Sequence, residues 1–252
     1  TARGDIIVAL STHAEDLASA TALAIAKANI TIIGLGNGRA RPTLTFTTAN
    51  TATIAVSAAN VTFRNFRFVA NFLSIAAAIT LTTATGFRCE QCAFHDTSGV
   101  LNFLNAIKST GAANTIDGIH IEGCKWLSRG TTSVNTLLLS ANDIDDAVLL
   151  NNRVTYQTTV DQAGLLVLTA GVPTNLLVQG NFIYRKNTTT ANGSLVAIGG
   201  TVANATGFII GNYVQTLTTT ADKLTPASTG LAFFENRVSG VVNATGFVIP
   251  GA

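Results

Sequence analysis

An eight-residue pattern recurs between residues 61 and 238: apolar, any, apolar, any, any, an anchor, any, apolar. Its copies start at Val61, Phe87, Ile119, Ala147, Leu176, Gly207 and Leu231, and their sixth residues are Phe66, Cys92, Cys124, Asn152, Asn181, Asn212 and Asn236. The alternation has the period of a β-strand. The anchor column says how such strands are arranged. A buried asparagine with unpaired amide groups costs about 1–3 kcal/mol, whereas asparagines stacked at the strand spacing of about 4.8 Å hydrogen-bond one another. Successive anchors lie 24 to 32 residues apart, the length of one solenoid coil holding short strands and a variable loop. The reading is an all-β chain folded as a right-handed parallel β-helix, with Cys92, Cys124, Asn152, Asn181, Asn212 and Asn236 as its core ladder.

The unbroken repeat makes residues 29–252 a single domain despite the length of 252 residues. Charged residues are 11% of the chain, against about 25% in an ordinary soluble domain. The surface is therefore left to threonine, asparagine, alanine and glycine. Hydrophobic residues reach 47% and mean hydropathy is +0.40, which implies apolar surface in need of a partner. A net charge of +2 with scattered cations argues against nucleic acid as that partner, and no run has the length or pattern of a membrane-inserting span or a signal peptide.

Before the repeat, residues 1–28 read as a short strand, Asp5 to Leu10, followed by an amphipathic capping helix. Ser11 or Thr12 would cap it, Glu15 would complete a capping box, and Ala14, Leu17, Ala18, Thr21, Ile25 and Ala28 would share one face over the open end of the first coil. A degenerate first coil then begins at Asn29, with Leu35 near the anchor position. Gly34, Gly36 and Gly38 follow, and because the alternating Leu44-Thr-Phe46 comes next rather than a helix, they read as a coil turn and not a phosphate loop. The run Asn29-Ile-Thr-Ile-Ile-Gly-Leu-Gly-Asn-Gly38, continued by Arg41-Pro42-Thr-Leu-Thr-Phe46, resembles the opening of right-handed β-helix proteins of the pectate-lyase-like and phage-tailspike class. With the ladder, that resemblance covers nearly the whole chain. It implies a fold far more specifically than an activity.

Residues between the inward positions face out, and equivalent ones stack from coil to coil. Two before the anchor stand Arg64, Glu90, Glu122, Leu150, Gln179, Ile210 and Phe234; four before it, Thr62, Arg88, His120, Val148, Leu177, Phe208 and Ala232. The early coils thus carry a charged group of Arg64, Arg88, Glu90, His120 and Glu122, to which Lys125 adds just after its anchor. Two carboxylates one strand spacing apart could share a raised pKa, with Arg88, His120 and Lys125 as acid, base or clamp for an acidic polysaccharide. The competing reading is an exposed ion-pair lattice. The later coils turn apolar at Val148, Leu150, Leu177, Phe208, Ile210 and Phe234, a stripe to be covered by the loop from Gln215 to Thr229, by self-association or by another protein.

Cys89 and Cys92 have a CxxC spacing, but both point inward and Cys124 is the only other cysteine, so no metal site is expected. As stacked anchors, Cys92 and Cys124 are either close enough for a disulfide or reduced core thiols. Asp143, Asp145 and Asp146, with Asp117 one coil earlier, read as a turn. No cofactor is implied. The functional expectation is a structural or adhesive protein at the cell exterior or virion surface: a phage tailspike, fibre or capsid-decoration component. Its partners would be copies of itself, as the parallel trimers of the resembled tailspikes imply, other virion proteins, or a surface polysaccharide. A polysaccharide lyase or hydrolase using Glu90, His120 and Glu122 is the alternative, although aromatic platforms for sugar are scarce beyond Trp126.

Overall fold

The structure, a computed structural model, describes residues 4–131, 135–157, 164–185, 195–215 and 230–239. Three parallel sheets of nine, nine and seven strands wrap one core, and the chain visits them in turn. The first sheet holds the front half of each repeat, from Thr62–Arg64 through Gly207–Ile210 to Leu231–Phe234. The second holds the back half, for example Arg67–Ala70 and Phe182–Arg185. The third runs from Leu23–Ile25 to Val196–Ile198. Seven coils contain all three strands, and two more are described through the first two sheets.

The corner between the first and second sheets is set by one residue per coil. The residue before each anchor is left-handed: Asn65, Gln91, Gly123, Asn151, Gly180, Gly211 and Glu235 have φ between +51° and +65°. Glycine and asparagine are the residues that adopt this conformation at least cost, which explains their recurrence there. The chain then leaves the first sheet with a main-chain N–H that no strand can pair. The ladder supplies its acceptor: the Oδ1 atoms of Asn152, Asn181, Asn212 and Asn236 accept the backbone N–H of Cys124, Asn152, Asn181 and Asn212, at 2.9, 2.9, 2.9 and 3.0 Å. Three of the four amides also donate along the column, Asn152 to Asn181 (3.0 Å), Asn181 to Asn212 and Asn212 to Asn236 (2.9 Å each). All four are at most 3% exposed, so these bonds make their burial tolerable. In the third coil the anchor is Phe66, which packs by ring contact instead: it stacks on Phe68 at 6.2 Å, and Phe68 meets Phe94 of the next coil at 5.0 Å.

The N-terminal capping helix is not formed. Ala14–Leu17 and Leu23–Ile25 are strands that pair in register with Thr43–Phe46 and Ile54–Val56. With Asp5–Ala9 they make a complete first coil, so the coil beginning at Asn29 is the second. Thr12 has φ +67°, which rules out the extended backbone of a helix N-cap, and its N–H bonds to the Ala40 carbonyl. Parallel pairing with a preformed neighbour outweighs an alanine-rich helical pattern worth only tenths of a kcal/mol per residue. Leu35 is 44% exposed and is not an inward anchor. Gly36, at φ +90°, fits the turn expected there, where a Cβ would lie 2.5 Å from the Ala40 oxygen.

The first coil meets solvent differently from the rest. Its core opens into a cavity of about 410 Å³ lined by Ile7, Leu17, Leu23, Ile32 and Leu44, among others. Glu15, in register with Leu44, puts a carboxylate at an inward position, close to His13 (3.8 Å). An inward charge on an edge coil disfavours strand addition by another chain. The expected end or cap of the last coil, at Gly246-Phe-Val-Ile249, lies outside the described residues.

Candidate functional site

Strand register in the first sheet decides which outward side chains meet. Thr62, Arg88, His120, Val148, Leu177, Phe208 and Ala232 form one column, and Arg64, Glu90, Glu122, Leu150, Gln179, Ile210 and Phe234 the other. In the charged half, Glu90 lies 4.0 Å from Arg64 and 3.9 Å from Arg88, while Glu122 lies 3.1 Å from the His120 ring. Each carboxylate therefore faces a basic neighbour on the same sheet. Exposed pairs of this kind contribute about 0–1 kcal/mol each. Lys125 stands around the corner on the second sheet, in register with Ala93 and Arg153, and does not share the face of the other charged residues.

From the sixth coil onward the same two columns become apolar, interrupted by the exposed Gln179. Phe208 and Phe234 are 49% and 47% exposed and stack on each other at 6.3 Å. Val148, Leu150, Leu177 and Ile210 are half-buried by their neighbours on the sheet. The loop expected to cover the last coils lies, from 216 to 229, outside the described residues. Across the corner Phe182 and Tyr213 stack at 5.2 Å, and the Arg153 guanidinium sits 5.0 Å from the Phe182 ring centre. The apolar surface thus carries over onto the second sheet.

Other expected groups are occupied elsewhere. Trp126 is 1% exposed and packs edge-on against Tyr156 at 6.0 Å, so it cannot serve as a sugar platform. The aspartates cap turns: Asp117 accepts the Asp145 N–H, Asp143 that of Val172, and Asp146 the Asn175 amide. Asp145 meets the Thr174 hydroxyl.

Two buried ionisable residues were not apparent from the repeat pattern. Asp96 accepts hydrogen bonds from the main chain of Phe103 (3.1 Å) and Arg129 (2.8 Å) and from the Trp126 indole (3.4 Å). Burial pushes its carboxyl up to about 6. Arg185, 2% exposed, lies 6.0 Å from the Tyr156 ring centre. Both occupy the last position of a second-sheet strand, an inward column that also holds Ser128 and Tyr156. That parity was the available signal. These groups sit in the core and link coils rather than meeting a ligand. Among the described residues no group of three or more His, Cys, Asp or Glu is disposed to hold a metal ion, and no helix is long and apolar enough to cross a membrane.

The cysteines are free and buried. Cys124 Sγ lies 3.7 Å from Cys89 Sγ, and burial pushes the Cys124 thiol up. No protein-family description matches the chain, and no curated protein matches it in sequence.

Proposed function

We propose that the protein is a structural or adhesive β-solenoid, of the kind a phage particle carries as a tailspike, fibre or surface-decoration component, and that it assembles through the apolar stripe of its first sheet. The observation that carries this reading is the exposure of Phe208 and Phe234 at about half of their surface, in line with Leu177, Leu150 and Val148. Covering the remaining half of each phenylalanine contributes about 1 kcal/mol, and the stripe runs over four successive coils. Three parallel copies, the arrangement the tailspike resemblance implies, would hide equivalent stripes together under closed symmetry. Such a particle works at the cell exterior, by contact with other virion proteins or with a host-surface polysaccharide. Cleavage of a polysaccharide has less support, because Glu90 and Glu122 each lie beside a basic group and Trp126 is in the core.

Multi-angle light scattering tests the proposal. The unmodified protein is expected at three times the 26.0 kDa chain mass, and the variant carrying Leu177→Asp and Phe208→Asp at the chain mass with unchanged circular dichroism. An unmodified protein that stays monomeric at high concentration overturns it.

A further inference from the structure

The amide ladder stops at Cys124, whose N–H is the first to be taken by an asparagine side chain. Toward the N-terminus the next coil has thiols in its place. Cys92 and Cys124 occupy equivalent positions, as the neighbouring pairs Glu90 with Glu122 and Ala93 with Lys125 require. Equivalent side chains on parallel strands leave the main chain in parallel directions, with Cβ atoms separated by about the 4.8 Å coil spacing. A disulfide bridges Cβ atoms about 3.5–4.5 Å apart, so stacked anchors are poorly placed for one. The Cys92 sulfur lies 3.4 Å from the Glu90 carbonyl and also interacts with the Cys89 and Cys124 thiols.

Cys89 is differently placed. It points into the core from the middle of its first-sheet strand, while Cys124 points in from the corner of the following coil. The two side chains converge, and Cys124 Sγ lies 3.7 Å from Cys89 Sγ and 3.3 Å from the Cys89 carbonyl. The two sulfurs are thus in van der Waals contact, and a bond of about 2.05 Å requires both side chains to turn toward each other.

We propose that Cys89 and Cys124 form a disulfide that staples the fourth coil to the fifth when the protein folds in the presence of a small-molecule disulfide such as oxidised glutathione. The Cys124 thiolate attacks one glutathione sulfur, giving a mixed disulfide and releasing one glutathione. The Cys89 thiolate then attacks the protein sulfur of that mixed disulfide, forming the Cys89–Cys124 bond and releasing the second glutathione. Two protein thiols lose two protons and two electrons, and one small disulfide is reduced to two thiols. Both cysteines are at most 1% exposed in the folded chain, so the exchange belongs to folding, before the coil closes over them. Once closed, the same burial shields the bond from reductants.

The test is to refold the full chain with oxidised glutathione or with a phosphine reductant, denature it in iodoacetamide and measure intact mass. The expected result with glutathione is one alkylated thiol in the unmodified protein and none in Cys92→Ser, with no disulfide in Cys89→Ser. The thermal midpoint of Cys92→Ser is expected to rise by several degrees on oxidation. Three alkylated thiols in the unmodified protein after oxidative refolding overturn the proposal, as does a disulfide that survives Cys89→Ser and disappears in Cys92→Ser. Should either serine variant fail to refold, peptide mapping of the unmodified protein after cleavage between residues 89 and 92 identifies the partner of Cys124 directly.

Discussion

Replacing Asn181 by alanine removes the middle rung of the ladder, and the loss can be worked out bond by bond. The side chain donates to Asn212 Oδ1 (2.9 Å), the Leu149 carbonyl (2.9 Å) and the Gln179 carbonyl (3.1 Å). Its oxygen accepts the Asn152 main-chain N–H (2.9 Å) and the Asn152 amide (3.0 Å). Asn212 Oδ1 keeps the Asn181 main-chain N–H, and the Asn152 amide keeps the Ile121 carbonyl (2.9 Å). The Asn152 N–H keeps nothing, in a residue 1% exposed. One orphaned buried donor costs about 1–3 kcal/mol, and the lost bonds add about 1–2 kcal/mol more. We expect a total loss of about 2–5 kcal/mol in urea denaturation. Hydrogen exchange localises it: the Asn152 amide should lose protection while amides in the first three coils keep theirs, because each coil contacts only its neighbours. A loss below about 1 kcal/mol with the Asn152 amide still protected would refute the ladder as a source of stability.

Asp96 gives a pH signature. Its folded pKa of about 6 lies above the ordinary 3.8, so the protonated carboxyl is the form that folding favours. Stability is full below pH 4, falls as pH rises toward 6 and then levels, an amplitude of about 3 kcal/mol at 1.36 kcal/mol per unit; urea midpoints between pH 4 and 7 should show this fall in the unmodified protein and lose it in Asp96→Asn. Glu15→Leu should make the first coil's edge adhesive, raising the sedimenting mass with concentration, while an unchanged profile would mean that Glu15 does not guard that edge. Gln91→Gly relieves a left-handed residue at φ +54° and should raise the urea-derived stability by about 0.5–1 kcal/mol, and a decrease would contradict the corner assignment.

The first two sheets are legible in the sequence because each coil places the same kinds of residue at the same offsets. Asn152, Asn181, Asn212 and Asn236 fix the coil corner, and the glycines and asparagines before the anchors mark its left-handed residue. The first coil is not legible, because Ala14 to Ile25 lacks an anchor and its alanines satisfy a helical pattern equally well; pairing with Thr43–Phe46 decides the matter. Site chemistry is less legible still. Outward columns follow from parity, but Lys125 falls beyond a corner that turns it away from Glu122. Trp126, Asp96 and Arg185 are types that parity places inward and chemistry suggests should be outward. Their burial depends on partners from other coils, such as Arg129 for Asp96. The approach of Cys89 to Cys124 also crosses register, which a column of equivalent positions does not reveal.

Hydroxyl-radical footprinting of the unmodified protein measures the assembly surface directly. Leu73 and Val100, 55% and 54% exposed and outside the stripe, provide the reference for solvated apolar side chains, against 49% and 47% for Phe208 and Phe234. After correction for intrinsic reactivity, assembly through the stripe predicts Phe208 and Phe234 labelled several-fold less than that reference, with labelling restored by Leu177→Asp. Labelling of both phenylalanines in proportion to Leu73 and Val100 at every concentration would contradict it.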